Sequence, residues 1–161
     1  MKKRFVLCAV FLILSAAIVA CSFPATIYSY CTEKQKHLLD SYGDELPAML
    51  IYNSNYGYSA RYQVDDETMI RSAVKAIEKI QIDGEYDICA TDADAAFVFV
   101  MKNGDTCGFS FNDKHFTQHE GKNIYLISGD YTLWNIAMQI KEKYHEELQD
   151  EKNAAKRTVK I

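Results

Sequence analysis

His115 and His119 stand four residues apart, with Asp113 and Glu120 close beside them. Imidazole and carboxylate together suit a borderline metal ion. On a helix the two rings would share a face. Thr117 and Gly121 instead predict a strand and a turn, where the pair would lie roughly 13 Å apart by strand rise. One ion does not bridge that span, so the reading is an exposed hairpin and no metal site. Asp87, Asp92 and Asp94 raise the question of calcium. An EF-type loop needs D-x-D-x-D-G and a later Glu. Ala96 stands where the third carboxylate belongs, so these residues read as a turn before a strand. No glycine-rich phosphate loop and no nucleophile motif occurs. Nothing places two carboxylates together for glycoside hydrolysis. The sequence therefore predicts no enzyme and no cofactor.

Aromatic chemistry is concentrated elsewhere. Tyr52, Tyr56, Tyr58 and Tyr62 crowd one short region. Tyrosine suits positions with one apolar and one wet end, as at interfaces. It is equally at home on half-buried strands. The core reading is favoured, and Tyr56, Tyr58, Arg61 and Tyr62 are the candidate interface if one exists.

The start of the chain carries an address. Lys2, Lys3 and Arg4 precede an uncharged run from Phe5 to Ala20, and Ile18-Val19-Ala20-Cys21 closes it. A basic start, an apolar stretch and a small residue at the cut make an export signal. The run is shorter than the roughly 20 apolar residues of a spanning helix. Its last four residues resemble the lipobox of bacterial lipoproteins. The resemblance implies cleavage before Cys21 and lipid on that cysteine, holding the protein to the extracytoplasmic face of the cell membrane. Two or more acyl chains anchor stably. An ordinary secretory cut after the small-x-small Ala20-Cys21-Ser22 is the alternative. Further along, Thr91-Asp92-x-Asp94 precedes a Phe-Val-Phe strand, Asn103-Gly104 makes a turn, and Leu133-Trp134 opens the last helix. In these loose motifs the chain resembles small uncharacterised lipoproteins of Gram-positive bacteria, a group with no settled activity.

Without its first 20 residues the chain keeps fifteen basic residues against 22 acidic ones, a net charge of −7. That balance argues against nucleic acid, because phosphate contacts need clustered Lys and Arg. Of five cysteines, Cys8 leaves with the signal and Cys21 takes lipid. Cys31, Cys89 and Cys107 remain. An oxidising exterior permits one disulfide among three thiols. Cys89–Cys107 is the preferred pair, since both fall in the sheet region. Three buried free thiols are the alternative. No Cys/His spacing suggests zinc.

The elements that would position these residues follow from periodicity. Thr32-Glu33-Lys34-Gln35 fits a capping box opening a short helix to about Tyr42. Met49 to Tyr52 and Tyr56 to Val64 predict a two-strand hairpin through Asn53-Ser54-Asn55. Asp65-Asp66-Glu67 opens a helix ending near Ile80. Ala95 to Met101 predicts a central strand, apolar on both faces. Asn103-Gly104 is a strong hairpin signal, and three further strands follow, to Ile127. Leu133, Ile136, Ala137, Ile140, Tyr144 and Leu148 form the seam of a last helix. The expected class is α+β. An antiparallel sheet, built as a hairpin plus a four-strand meander, packs on two main helices with a short N-terminal one. The outline resembles the half-repeat of the TATA-binding-protein-like fold, an analogy of topology alone. Four segments follow: a signal (1–20), an anchor segment with the short helix (21–45), the extracytoplasmic domain (46–148) and a charged tail (149–161). The function expected is a membrane-anchored binding or interaction module of the cell envelope. A small-ligand-binding or sensing lipoprotein is the alternative, and an envelope hydrolase a distant third. The partners are the membrane through Cys21 and an envelope protein or small ligand, with no nucleic acid.

Overall fold

A computed structural model describes residues 25–55, 60–86, 94–112, 114–118, 123–128 and 132–144. Alternating patterns become eight strands of one antiparallel sheet. These are β1 (Ala25–Thr26), β2 (Met49–Ser54), β3 (Ala60–Val64), β4 (Gln81–Tyr86), β5 (Ala95–Val100), β6 (Thr106–Asn112), β7 (His115–Thr117) and β8 (Ile124–Ser128). Three-residue periodicity becomes α1 (Glu33–Ser41) and α2 (Glu67–Glu78). A third helix, α3, covers residues 132–144. A 3₁₀ turn, Ile27–Tyr30, links β1 to α1. The α+β class expected from the sequence is the class of the structure.

The sheet order is β1-β4-β8-β7-β6-β5-β2-β3. β2 pairs with β3 on one side and β5 on the other, merging the first two strands with the later ones into a single sheet. β4 had no expectation behind it. Only Ile82 of its six residues is buried, and a bulge between Ile82 and Gly84 breaks its alternation. It is held by pairing with β8 and β1, which a single-strand pattern does not reveal. β2 also runs two residues further than expected, to Ser54. β3 is described over Ala60–Val64, and residues 56–59 of the expected strand lie outside the described residues.

One face of the sheet is lined by alternate residues Leu50, Tyr52, Phe97, Phe99, Phe109, Phe111 and Phe116. They join one core with Leu38 and Leu39 of α1, Ile70, Val74 and Ile77 of α2, and Leu133, Ile136 and Ile140 of α3. The rings make an edge-to-face and tilted ladder, with Phe97–Phe111 at 6.1 Å, Phe99–Phe109 at 6.2 Å and Phe111–Phe116 at 5.6 Å. Each buried aromatic contributes on the order of 2 kcal/mol of transfer free energy.

The helix starts are chemically explicit. Thr32 Oγ1 accepts from Gln35 N, and Gln35 Oε1 accepts from Thr32 N at 2.8 Å, the reciprocal box expected at α1. Asp66 caps α2 by accepting from Thr68 N and Met69 N at 2.9 and 3.1 Å. The segment before α1 is no free tether. Ile27 is fully buried, Tyr30 packs on Tyr125 with centroids 4.4 Å apart, and the Tyr28 hydroxyl donates to Asp40.

Candidate functional site

The β5–β6 turn builds one wall of a cleft. Met101 N donates to Asp105 O and Gly104 N to Met101 O, at 2.8 and 2.9 Å. Gly104 has φ +88° and is the only described residue with positive φ. This is a type I turn closed by a left-handed glycine, a three-residue loop in place of the two-residue I′ turn that Asn-Gly most often makes. Asn103 locks it: Oδ1 accepts from Asp105 N and Nδ2 donates to Asp105 Oδ2, both at 2.9 Å.

The opposite wall is α1 and the chain that leaves it. Lys34, His37 and Leu38 fall on one stripe of the helix. After the helix, Asp44 N and Glu45 N donate to Ser41 O, and Ala48 N donates to Val100 O. These bonds carry Asp44, Glu45 and Leu46 around the mouth. Tyr42 fastens the same segment to α2, its hydroxyl donating to Glu78 and its carbonyl accepting from Arg71.

Between the walls lies a cleft of about 680 Å³. Leu38, Leu46, Met101 and Cys107 give it an apolar floor. Lys34, Lys102, Asp44 and Glu45 stand on its rim with both signs of charge. No salt bridge or side-chain hydrogen bond among the described residues occupies those four. Glu33 is paired with Lys36 at 2.9 Å. The volume falls within the range of small-molecule pockets, and an apolar floor with a few polar groups is their usual composition.

Cys107 sits at the floor, and burial pushes its thiol up to about 11, while Lys34 pulls it back down. Cys31, at the start of α1, is pushed up to about 12, by burial first and by Cys107 second. Both are neutral thiols.

The residues singled out from sequence are dispersed. Tyr62 is 5 % exposed and stacks on Tyr52 at 5.9 Å, so its ring belongs to the core and not to a contact surface. Arg61 is exposed on β3, the last strand of the sheet. Tyr56, Tyr58, Cys21 and Cys89 lie outside the described residues, as do His119, Asp87 and Asp92. His115 packs on Tyr86 with centroids 4.3 Å apart. Among the described residues no three His, Cys, Asp or Glu side chains converge as a metal site would require. None of their helices is long and apolar enough to cross a membrane. The cleft was not anticipated. Its walls meet only through tertiary packing, and the one local signal for it was the Asn103-Gly104 turn.

No protein-family model, curated protein or solved structure matches the chain.

Proposed function

We propose that this protein is a membrane-anchored, extracytoplasmic binding lipoprotein that takes a small amphipathic ligand in the cleft between α1 and the β5–β6 turn. The observation that carries the reading is the cleft itself, with an apolar floor and unpaired charges of both signs on its rim. A ligand with an apolar body, a cationic group and an anionic group matches that lining, and a short peptide is the simplest such molecule. Asp44 and Glu45 take the cation, Lys34 and Lys102 the anion, and Leu38, Leu46 and Met101 the apolar part. The lipobox-like Ile18-Val19-Ala20-Cys21 supplies the anchor. No group in the cleft is arranged as a nucleophile with its base, so the ligand is held and not converted.

The test is a thermal-shift screen of short peptides carrying both charges. A ligand at about 100-fold its Kd stabilises by roughly 2.7 kcal/mol. That raises the Tm of a domain of this size by about 5 °C. The double variant Lys34→Glu/Lys102→Glu alters only rim groups and should keep its own Tm while losing the shift. A shift of equal size in the variant would place the ligand elsewhere.

A second reading keeps the interaction module. The sheet ends at β3, where Arg61 and Gln63 are exposed, and an edge strand can accept an added strand from a partner. The ligand reading is preferred because the cleft is a concave lining that combines an apolar floor with charges of both signs.

A further inference from the structure

Cys31 and Cys107 are 76 positions apart in the chain but meet at one joint. β7 pairs only residues 115–117 with 110–112 of β6, so the first half of β6 has no strand on that side. The start of α1 covers the gap. The Gln35 carboxamide accepts from Thr32 N at 2.8 Å and donates from Nε2 to Gly108 O at 2.7 Å. One planar amide thus bridges the Cys31–Thr32 peptide and the residue next to Cys107. Both cysteines are in the same core, 6 % and 7 % exposed. Each also borders a fixed backbone point. Cys31 N donates to Tyr28 O at 3.2 Å, and Cys107 is in register with Phe99.

We propose that Cys31 and Cys107 form the protein's disulfide, a covalent rivet between the N-terminal segment and the sheet. The assignment displaces Cys89 as the partner of Cys107. It rests on the extracytoplasmic reading only for the oxidant, not for the geometry. Formation is an exchange with a disulfide of the donor class, protein or low-molecular-weight. Cys107, at the floor of the cleft, loses its proton and its thiolate attacks one donor sulfur. The donor's S–S bond breaks, and its other sulfur leaves as a thiolate that takes up a proton. The Cys31 thiolate then attacks the Cys107 sulfur of the mixed disulfide and expels the second donor thiolate. The two cysteines lose two electrons and two protons, and the donor leaves as a dithiol, or as two thiols. Burial keeps both thiols protonated at neutral pH, so exchange is slow there and quickens as pH rises. Cys107 is the first attacker because it lines the cleft and Cys31 does not. A lysine eases the ionisation of each, Lys34 for Cys107 and Lys36 for Cys31.

The full chain is purified reduced in detergent, incubated with oxidised glutathione at pH 8.5, alkylated and mapped by mass spectrometry. The expected result is a Cys31 peptide crosslinked to the Cys107 peptide, with Cys89 alkylated. Closing so long a loop should also raise Tm by on the order of 10 °C over the reduced protein. Cys89→Ser should keep the oxidative rise in Tm, and Cys31→Ser should lose it. A Cys89–Cys107 crosslink, or Cys31 and Cys107 both alkylated after full exposure to oxidant, overturns the proposal. Because the oxidant is added in vitro, a failure here is distinct from a failure of the cellular address. That address is read separately, from where the unmodified protein fractionates.

Discussion

Gln35 is the residue on which most of the architecture turns. It is 3 % exposed and satisfies two backbone groups, one in its own helix cap and one 73 residues away in β6. Half of that role was legible in the sequence, because Thr-x-x-Gln before an apolar periodicity is a capping box. The contact with Gly108 was not, since no local pattern records which carbonyl β7 leaves uncovered. Gln35→Leu keeps the bulk and abandons both groups, so it should cost about 3 kcal/mol in chemical denaturation. Thr32→Ala should cost about 1 kcal/mol, the loss of a cap. Ser54 behaves in the opposite way. Its Oγ is buried and makes no well-formed hydrogen bond among the described residues. Burial raises the neighbouring Tyr52 hydroxyl above its ordinary value, and Ser54 offsets that only in part. Ser54→Ala should therefore be nearly neutral. The reduced thiols give a pH signature. Folded Cys31 and Cys107 hold their protons to about 12 and about 11, against an ordinary value of 9.0. Between pH 9 and 11 the unfolded chain sheds protons that the folded one keeps, so stability must fall as pH rises through that window. Urea midpoints of the reduced protein from pH 8 to 11 should show the decline, and Cys31→Ala/Cys107→Ala should make it shallower. The difference should be clearest between pH 9 and 10, below the ordinary value of 10.0 from which Tyr28, Tyr42 and Tyr52 are also raised.

Elements with strong internal patterns were readable, and those made by their neighbours were not. The apolar stripe of α2 and the alternation of β5 declare themselves, because each buries a full face against the core. β4 carries polar side chains at three of its six positions, Gln81, Asp83 and Glu85, and exists because β8 offers it a ladder. The β5–β6 turn was located correctly from Asn103-Gly104, but its type depends on where the flanking strands stop pairing, at Val100 and Thr106. Gly104→Ala meets no neighbouring atom, yet forces a side chain into the left-handed region. It should destabilise by about 1 kcal/mol and loosen the wall that presents Lys102. At α2, the backbone amides of Met69 and Thr68, together with Lys143 of α3, hold the Asp66 carboxyl below its ordinary value of 3.8. The stability this supplies is complete above that value and is lost as pH falls through the lower folded value. Asp66→Asn keeps an N-cap oxygen but not the carboxylate, so it should lower the neutral-pH midpoint slightly and blunt the acid sensitivity below pH 4. Tyr62→Ala removes a core ring stacked on Tyr52 and should cost about 3 kcal/mol, with ligand affinity per folded molecule unchanged.

At the scale of the whole molecule, the proposed lipid anchor is read from the sequence, whereas the cleft had to be seen in the fold. Composition and periodicity were enough for the α+β class, because one-sided burial of helices and strands has few solutions. They were silent on the cleft, whose lining comes from three stretches, 33–38, 44–46 and 101–107. Four chain steps lead from Cys21 to Ala25, the first described residue paired into the sheet. Even fully extended they span only about 14 Å. A lipid on Cys21 would therefore hold the β1–β4 edge against the membrane surface. Cys21→Ala should release the protein from the membrane fraction without changing its Tm. The central claim joins that anchor to the cleft, and one measurement addresses both: the intact mass of the protein taken from its own membranes and sprayed under non-denaturing conditions. The account predicts a chain beginning at Cys21, carrying a diacylglyceryl adduct, plus a non-covalent mass that departs on denaturation and is missing from Lys34→Glu/Lys102→Glu. A chain that retains residues 1–20, or a non-covalent mass equally present in the double variant, would contradict it.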